Sequence, residues 1–364
     1  MLPIARYHAG RRLMSDPAND RQFKRRNHFV PRSYLKQWAG DDGRLWVYRL
    51  LVPHERVPLW KPASPKAVTV HDHLYTKVVS GTESDEIERW LDAEFEGPAE
   101  RVLDKVSREE RLTADDWHRL VRFLAAQDVR TPARLMESIK RWQAQLPGML
   151  EDVMREAVAK MEAAQKQGKR LEVEPREDSE LLGGKLTTSI AAGAGMGTMR
   201  YEMIAGRNLW LFHIKHLLTR TAQHLHRHRW TILRAPPGME WPTSDDPVIR
   251  LNFNNSENYD FGGGWGSKGS EIFMPLNPRH LMYTHIGERP PEKWSVVPDD
   301  LVDWFLRFIV EHAHRHVLAR TPDHRLPVIR PRKVDREQHR HEEEQWRLWH
   351  EEQTAAETRL HPGR

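Results

Sequence analysis

Apolar positions recur along the chain at two different periods. From residue 87 to residue 225 the spacing is helical. Ile87, Trp90, Leu91 and Phe95 form one stripe, with carboxylates on the opposite face. Trp117, Leu120, Val121 and Leu124 form a second, opened by Thr113 to Asp116, a capping box with Asp in place of the usual Glu. Pro132 ends or bends that helix. Leu150, Val153, Met154, Ala157, Val158 and Met161 form a third stripe, and residues 210–225 a fourth. Residues 168–184 are polar and read as a loop. After Arg229 the pattern changes: residues 230–233, 248–253, 271–274 and 281–285 read as short strands with short links, the signature of an antiparallel sheet. A last apolar stripe, Leu301, Trp304, Phe305, Phe308 and Ile309, predicts a helix from Asp299. Residues 45–50 read as an early strand, residues 68–75 as a weaker one, and Pro31 suits the first turn of a short helix.

This order predicts an α+β fold, a helical layer packed on a mixed or antiparallel sheet. A separate C-terminal sheet subdomain is the alternative arrangement. Residues 1–26 read as a flexible basic arm, residues 27–330 as a single α+β domain, and residues 331–364 as a charged helical or disordered tail.

Composition narrows the chemistry. The chain of 364 residues is 38% hydrophobic and 30% charged, and its 14 Trp, 10 Phe and 7 Tyr supply a core despite that polarity. It contains no cysteine, which excludes disulfides, thiolate metal sites and thiol catalysis. No run approaches the roughly 18 apolar residues of a membrane span, and the first residues lack a secretory signal, so a cytoplasmic protein is expected.

Charge falls in blocks. Six Lys/Arg and no acid lie between Arg21 and Lys36, and seven Lys/Arg face one acid between Arg200 and Arg234. With a net charge of +5, these blocks nominate a nucleic-acid partner through Lys24, Arg25, Arg26, Arg207, Arg227 and Arg229. Trp346 and Trp349 share a helix face three residues apart and nominate a protein partner.

Two segments combine chemistry-bearing residues with proline-fixed turns. Thr243-Ser244-Asp245-Asp246-Pro247-Val248 places two carboxylates and a hydroxyl between predicted strands, where they serve either as metal ligands or as turn caps. Gln127-Asp128-Val129-Arg130-Thr131-Pro132 places Gln127 and Arg130 on one helix face, with Arg130 fit to clamp a phosphate or to pair with a buried carboxylate. His312, His314 and His316 spread around the axis if they lie on a helix and make a poor ligand set.

A third segment joins these two to a family. His28-Phe29-Val30-Pro31, Tyr34-Leu35 and Trp38 resemble the N-terminal signature of the domain-of-unknown-function family numbered 4238. Gln127, Arg130, Thr131 and Pro132 resemble its central helix, and Thr243 to Val248 followed by Phe273 to Leu276 its C-terminal strands. Asp246 stands where that family more often has Asn, so Asp245 is carried over as the motif carboxylate. The resemblance implies a fold neighbourhood and candidate positions without a reaction.

From these residues the expected function is a metal-dependent nuclease or phosphodiesterase-type enzyme in a defence or toxin setting. His28 would be base or metal ligand, Asp245 a ligand of a divalent metal, and Arg130 a phosphate clamp, with Gln127, Ser244 and Asp246 as further candidates. The alternative is a non-catalytic module that binds nucleic acid or protein, in which the same residues hold the fold.

Overall fold

Strand Ser270–Asn277 is the centre of the molecule, and its side chains are buried on both faces. It belongs to a five-stranded antiparallel sheet. The strand order is Thr231–Arg234, His280–His285, Ser270–Asn277, Ile249–Asn255, Asn258–Asp260. On one face Ile272, Met274 and Leu276 share a core with Tyr34, Leu120, Phe123 and Trp210 of the helical layer. On the other face Phe273 and Leu281 share a core with Phe305, Leu306 and Ile309. These last three lie on helix Asp299–His312, which covers that face. A sheet buried on both sides loses the alternation of a half-exposed one.

The structure, a computed structural model, describes residues 23–79, 82–169, 184–190 and 197–360. Residues 1–22 of the expected basic arm and 170–183 of the expected polar loop lie outside that description. The early strand forms as Leu45–Arg49. It lies inside a second antiparallel sheet of order Thr243–Ser244, His316–Ala319, Leu45–Arg49, Trp60–Ala63. The weak candidate shortens to Val70–Asp72 and pairs with Arg26–His28. The α+β reading therefore holds. The C-terminal strands do not pack apart as the alternative had them, since one sheet face shares its core with the N-terminal helices.

Helix Ala114–Val129 opens with the capping box. The Asp116 amide donates to Thr113 Oγ1 at 3.2 Å, and the Thr113 amide donates to Asp116 Oδ2 at 2.8 Å. A short carboxylate thus does the work of the usual glutamate. Pro132 does more than end this helix: it begins the next, Pro132–Lys166.

The expected tail is an ordered helix, Arg336–Leu360. Trp349 is buried in the main core, and Trp346 packs against it, so neither is a free anchor for a partner. Arg207, read from the sequence as a nucleic-acid contact, is fully buried. Its guanidinium donates to Glu357 at 2.6 Å, to His350 Nδ1 at 2.8 Å and to Thr354 at 3.2 Å, and so fastens this helix to the body.

Candidate functional site

The three sequence motifs meet in space. Tyr34 donates its hydroxyl to the Pro275 carbonyl at 2.6 Å, which leaves it to accept from Thr243 Oγ1 at 2.7 Å. Trp38 donates to the Trp241 carbonyl at 2.8 Å. Thr131 donates to Asp246 Oδ1 at 2.9 Å, tying the central helix motif to the C-terminal one. Arg130 donates Nε to the Phe29 carbonyl at 3.0 Å, tying it to the N-terminal one. Long-range bonds of this kind explain the spacing of the motifs: each supplies donors that another must accept.

Arg130 does not reach Asp245. Its guanidinium is fully buried, with Nη1 on Glu96 at 2.6 Å and Nη2 on the His28 carbonyl at 3.5 Å. With its amide oxygen turned inward, Gln127 accepts from Arg130 Nε at 3.2 Å. The expected phosphate clamp is a buried structural tie with its donors taken. His28 contributes its carbonyl to that tie, while its ring Nε2 is buried without a partner. Burial, aided by nearby arginines, pulls the His28 imidazole below its ordinary pKa. Neither side chain lines the cleft described next. Ser244 and Asp246 are buried as well. The Asp246 amide donates to Ser244 Oγ at 3.2 Å, and the Asp246 carboxylate lies 3.6 Å from His312 Nε2. Of the expected set, Asp245 alone opens onto a cavity.

That cavity is a cleft of about 940 Å³. Asp245, His314, His316 and Arg49 line it on one side, with Arg26, Phe29, Pro132 and His71 beside them. Helix Arg336–Leu360 supplies the other wall through Glu342, Trp346 and His350.

Asp245 is locked from below. Oδ1 accepts from the His314 amide at 2.9 Å, and Oδ2 accepts from the amides of Arg315 at 2.8 Å and His316 at 3.0 Å. Burial alone would raise its pKa. The His316 side chain, 3.4 Å from Oδ2, together with His314 and the Arg315 amide, overcomes this and holds the carboxyl at about 2. Three amide donors leave Asp245 little lone-pair capacity for a metal ion. It is built instead to hold the 314–316 turn, and the His316 ring beside it, with Nδ1 3.4 Å from Oδ2 and no hydrogen-bond partner, is open to the cleft.

The surrounding imidazoles were hidden in the sequence. Helix Asp299–His312 ends at its last histidine, and Ala313 is extended, so His314 and His316 stand beyond the helix and both enter the cleft. The signal was the helix boundary, which the residue spacing alone did not mark. His71 is stacked between Phe29 and Trp346, with ring centroids at 5.5 and 4.1 Å. Burial, then His316 and His314, pushes it down to about 4, so it is neutral at pH 7.

Of the expected nucleic-acid contacts, Lys24 pairs with Asp92 at 2.8 Å and Arg25 with Asp72 at 3.1 Å. Arg26, Arg227 and Arg229 are exposed. Arg26 and Arg49 have no ion-pair partner among the described residues and face the cleft.

A second cluster lies at one end of the cleft. His73, Glu83 and His350 bring one ligand-type atom each within 4.8 Å of one another. His350 Nε2 lies 2.7 Å from Glu83 Oε1, and the two imidazoles stack with centroids 3.8 Å apart. Arg207 donates to His350 Nδ1, so the His350 proton sits on Nε2 and points at Glu83. A proton therefore occupies the position a metal would need.

An α+β body whose three motifs close on one another beside a histidine-lined cleft defines the class to which this chain belongs. Residues 26–323 match the family described as protein of unknown function DUF4238, and the chain is a member of that family. No curated protein and no solved structure matches it. Asp245, His314 and His316 fall inside the matched region, whereas the helical wall from Arg336 lies beyond it.

Proposed function

We propose that the cleft is the active site of a phosphodiester-cleaving enzyme acting on nucleic acid. The Asp245–His316 pair carries this reading. A buried carboxylate kept ionised lies 3.4 Å from Nδ1 of an imidazole that reaches solvent, and closing that gap would set the ring as a general base. Unpaired Arg26 and Arg49 on the same cleft supply charge for a phosphate. His316 is the base, Asp245 its orienting partner, and the two arginines the anion site. Arg130 and His28 hold the fold around it.

The rival reading, a binding module without turnover, draws on the exposed Arg227 and Arg229. Cleavage assays on single-stranded nucleic acid and on a small chromogenic phosphodiester separate the two. Under the enzyme reading, His316→Gln lowers the rate by about 100-fold or more and leaves thermal melting unchanged. Salt-sensitive binding with no cleavage by the native chain would establish the module instead.

A further inference from the structure

We infer that the cleft cleaves RNA by using the substrate's own 2′-hydroxyl as the nucleophile, with His316 as base and His314 as acid. The inference rests on the phosphodiesterase reading above and adds the identity of the attacking group.

The argument is an accounting of lone pairs. Hydrolysis by metal-bound water needs carboxylates or imidazoles with free lone pairs converging on the phosphate. Asp245 accepts three amides, Asp72 pairs with Arg25, and both Glu342 oxygens accept from Arg315 at 2.7 Å. Among the described residues one cluster has metal-ligand geometry, His73–Glu83–His350, and there Arg207 fixes a proton where the ion would bind. Glu343 and Glu351 also line the cleft, but neither joins two other ligand groups in such a cluster, and the groups left on the cleft with the unpaired guanidiniums are the imidazoles His314 and His316. Imidazole acid–base catalysis alone lacks a strong nucleophile. It suits the diester that carries one next to the phosphorus, which is RNA.

In the step, His316 Nε2 takes the proton of the 2′-hydroxyl. The 2′ oxygen forms its bond to phosphorus as the bond from phosphorus to the 5′ oxygen breaks. The leaving 5′ oxygen takes a proton from His314; burial lowers that imidazole's pKa, and Asp245 and the bound phosphate oppose the lowering by favouring its charged form. The products are a 2′,3′-cyclic phosphate and a free 5′-hydroxyl, with no co-reactant consumed.

The test incubates the full chain, in the presence of EDTA, with an RNA oligonucleotide, the DNA of the same sequence, and RNA carrying a single 2′-deoxy nucleotide at each position in turn. RNA is expected to be cut to cyclic-phosphate ends, DNA to be left intact, and each 2′-deoxy position to block cleavage at that position alone. His314→Gln and His316→Gln are each expected to slow cleavage by about 100-fold or more. Equal cutting of DNA, or loss of cutting in EDTA, would overturn the internal nucleophile and leave the phosphodiesterase reading standing. Failure to cut RNA, DNA and a chromogenic phosphodiester with or without added divalent ions would overturn both.

Discussion

Asp245 and Arg130 are both buried charges, but they are satisfied in different ways. Arg130 meets an opposite charge, Glu96, and carbonyls. Asp245 meets amide dipoles supplied by a turn that its own oxygens organise. Removing either leaves groups buried and unpaired. Arg130→Met strands Glu96 beside a fully buried site and is expected to cost about 3–5 kcal/mol, read as a shifted urea midpoint. Asp245→Asn keeps the shape but turns an amide NH₂ toward backbone N–H donors. A loss of about 1–3 kcal/mol is expected for each acceptor that fails. For this reason His316→Gln, whose ring reaches solvent, is the cleaner probe of chemistry. An Asp245→Asn protein as stable as the parent would show that the turn does not depend on the carboxylate. At this scale the sequence was partly legible. Proline-bounded polar residues marked where the chain ties itself together. It did not tell a tie from a site, because Arg130 and His316 are equally polar and only burial separates them.

The helix Arg336–Leu360 has few large apolar residues, Trp346, Leu348, Trp349 and Leu360, and the rest is charged or small. A hydrophobic pattern that sparse predicted a charged helical or disordered tail. Docking instead runs through Arg207 in Glu357, the stacking of Trp346 on His71, and the Arg315–Glu342 pair. None of these leaves a periodic trace. Arg207→Met is expected to destabilise by about 3–5 kcal/mol, because it leaves Glu357 buried without its partner. Double replacement, Arg207→Met with Glu357→Gln, is expected to recover part of that loss. If Arg207→Met melts like the parent, the helix is not clamped as drawn. The strands after Arg229 were easier to read. Their turns are short and their apolar runs are bounded by proline and glycine, so local chemistry settled them before tertiary packing did.

Across the whole molecule, stability has a pH dependence whose sign follows from buried imidazoles. Burial holds His71, His213 and His226 at about 4, each with added repulsion from neighbouring cations. In the unfolded chain a histidine titrates near its ordinary value of about 6.5. Between those values the unfolded state binds protons that the folded state refuses. Buried Glu88, raised to about 7, acts in the opposite sense, but three imidazoles outweigh one carboxyl, so stability falls as pH drops from about 6.5 toward 4. Asp245, held at about 2, adds a further loss below its ordinary range. Urea midpoints measured from pH 7.5 to 4.5 at fixed ionic strength check this. A midpoint that rises on acidification would contradict the burial of these rings. The α+β class was visible at this scale because helical and strand periods occupy different stretches. The shared core was not, since Ile272 packs with Tyr34 and Leu120 of the N-terminal half while its neighbour Phe273 packs on Phe305 and Phe308 at the opposite face.

The two walls of the cleft come from distant parts of the chain, and this bears on synthesis. A ribosome finishes the strand at Arg26–His28 and the turn at His316 before it makes the helix that carries Trp346 and Glu357. While that helix is still in the exit tunnel, the histidines have no opposing wall and Arg207 has no Glu357. On the proposed reading, a chain assembled in this order is inert toward the message that encodes it until this helix has left the tunnel. Chains stalled on the ribosome before Arg336 are expected to lack cleavage activity, and chains released after Leu360 to have it.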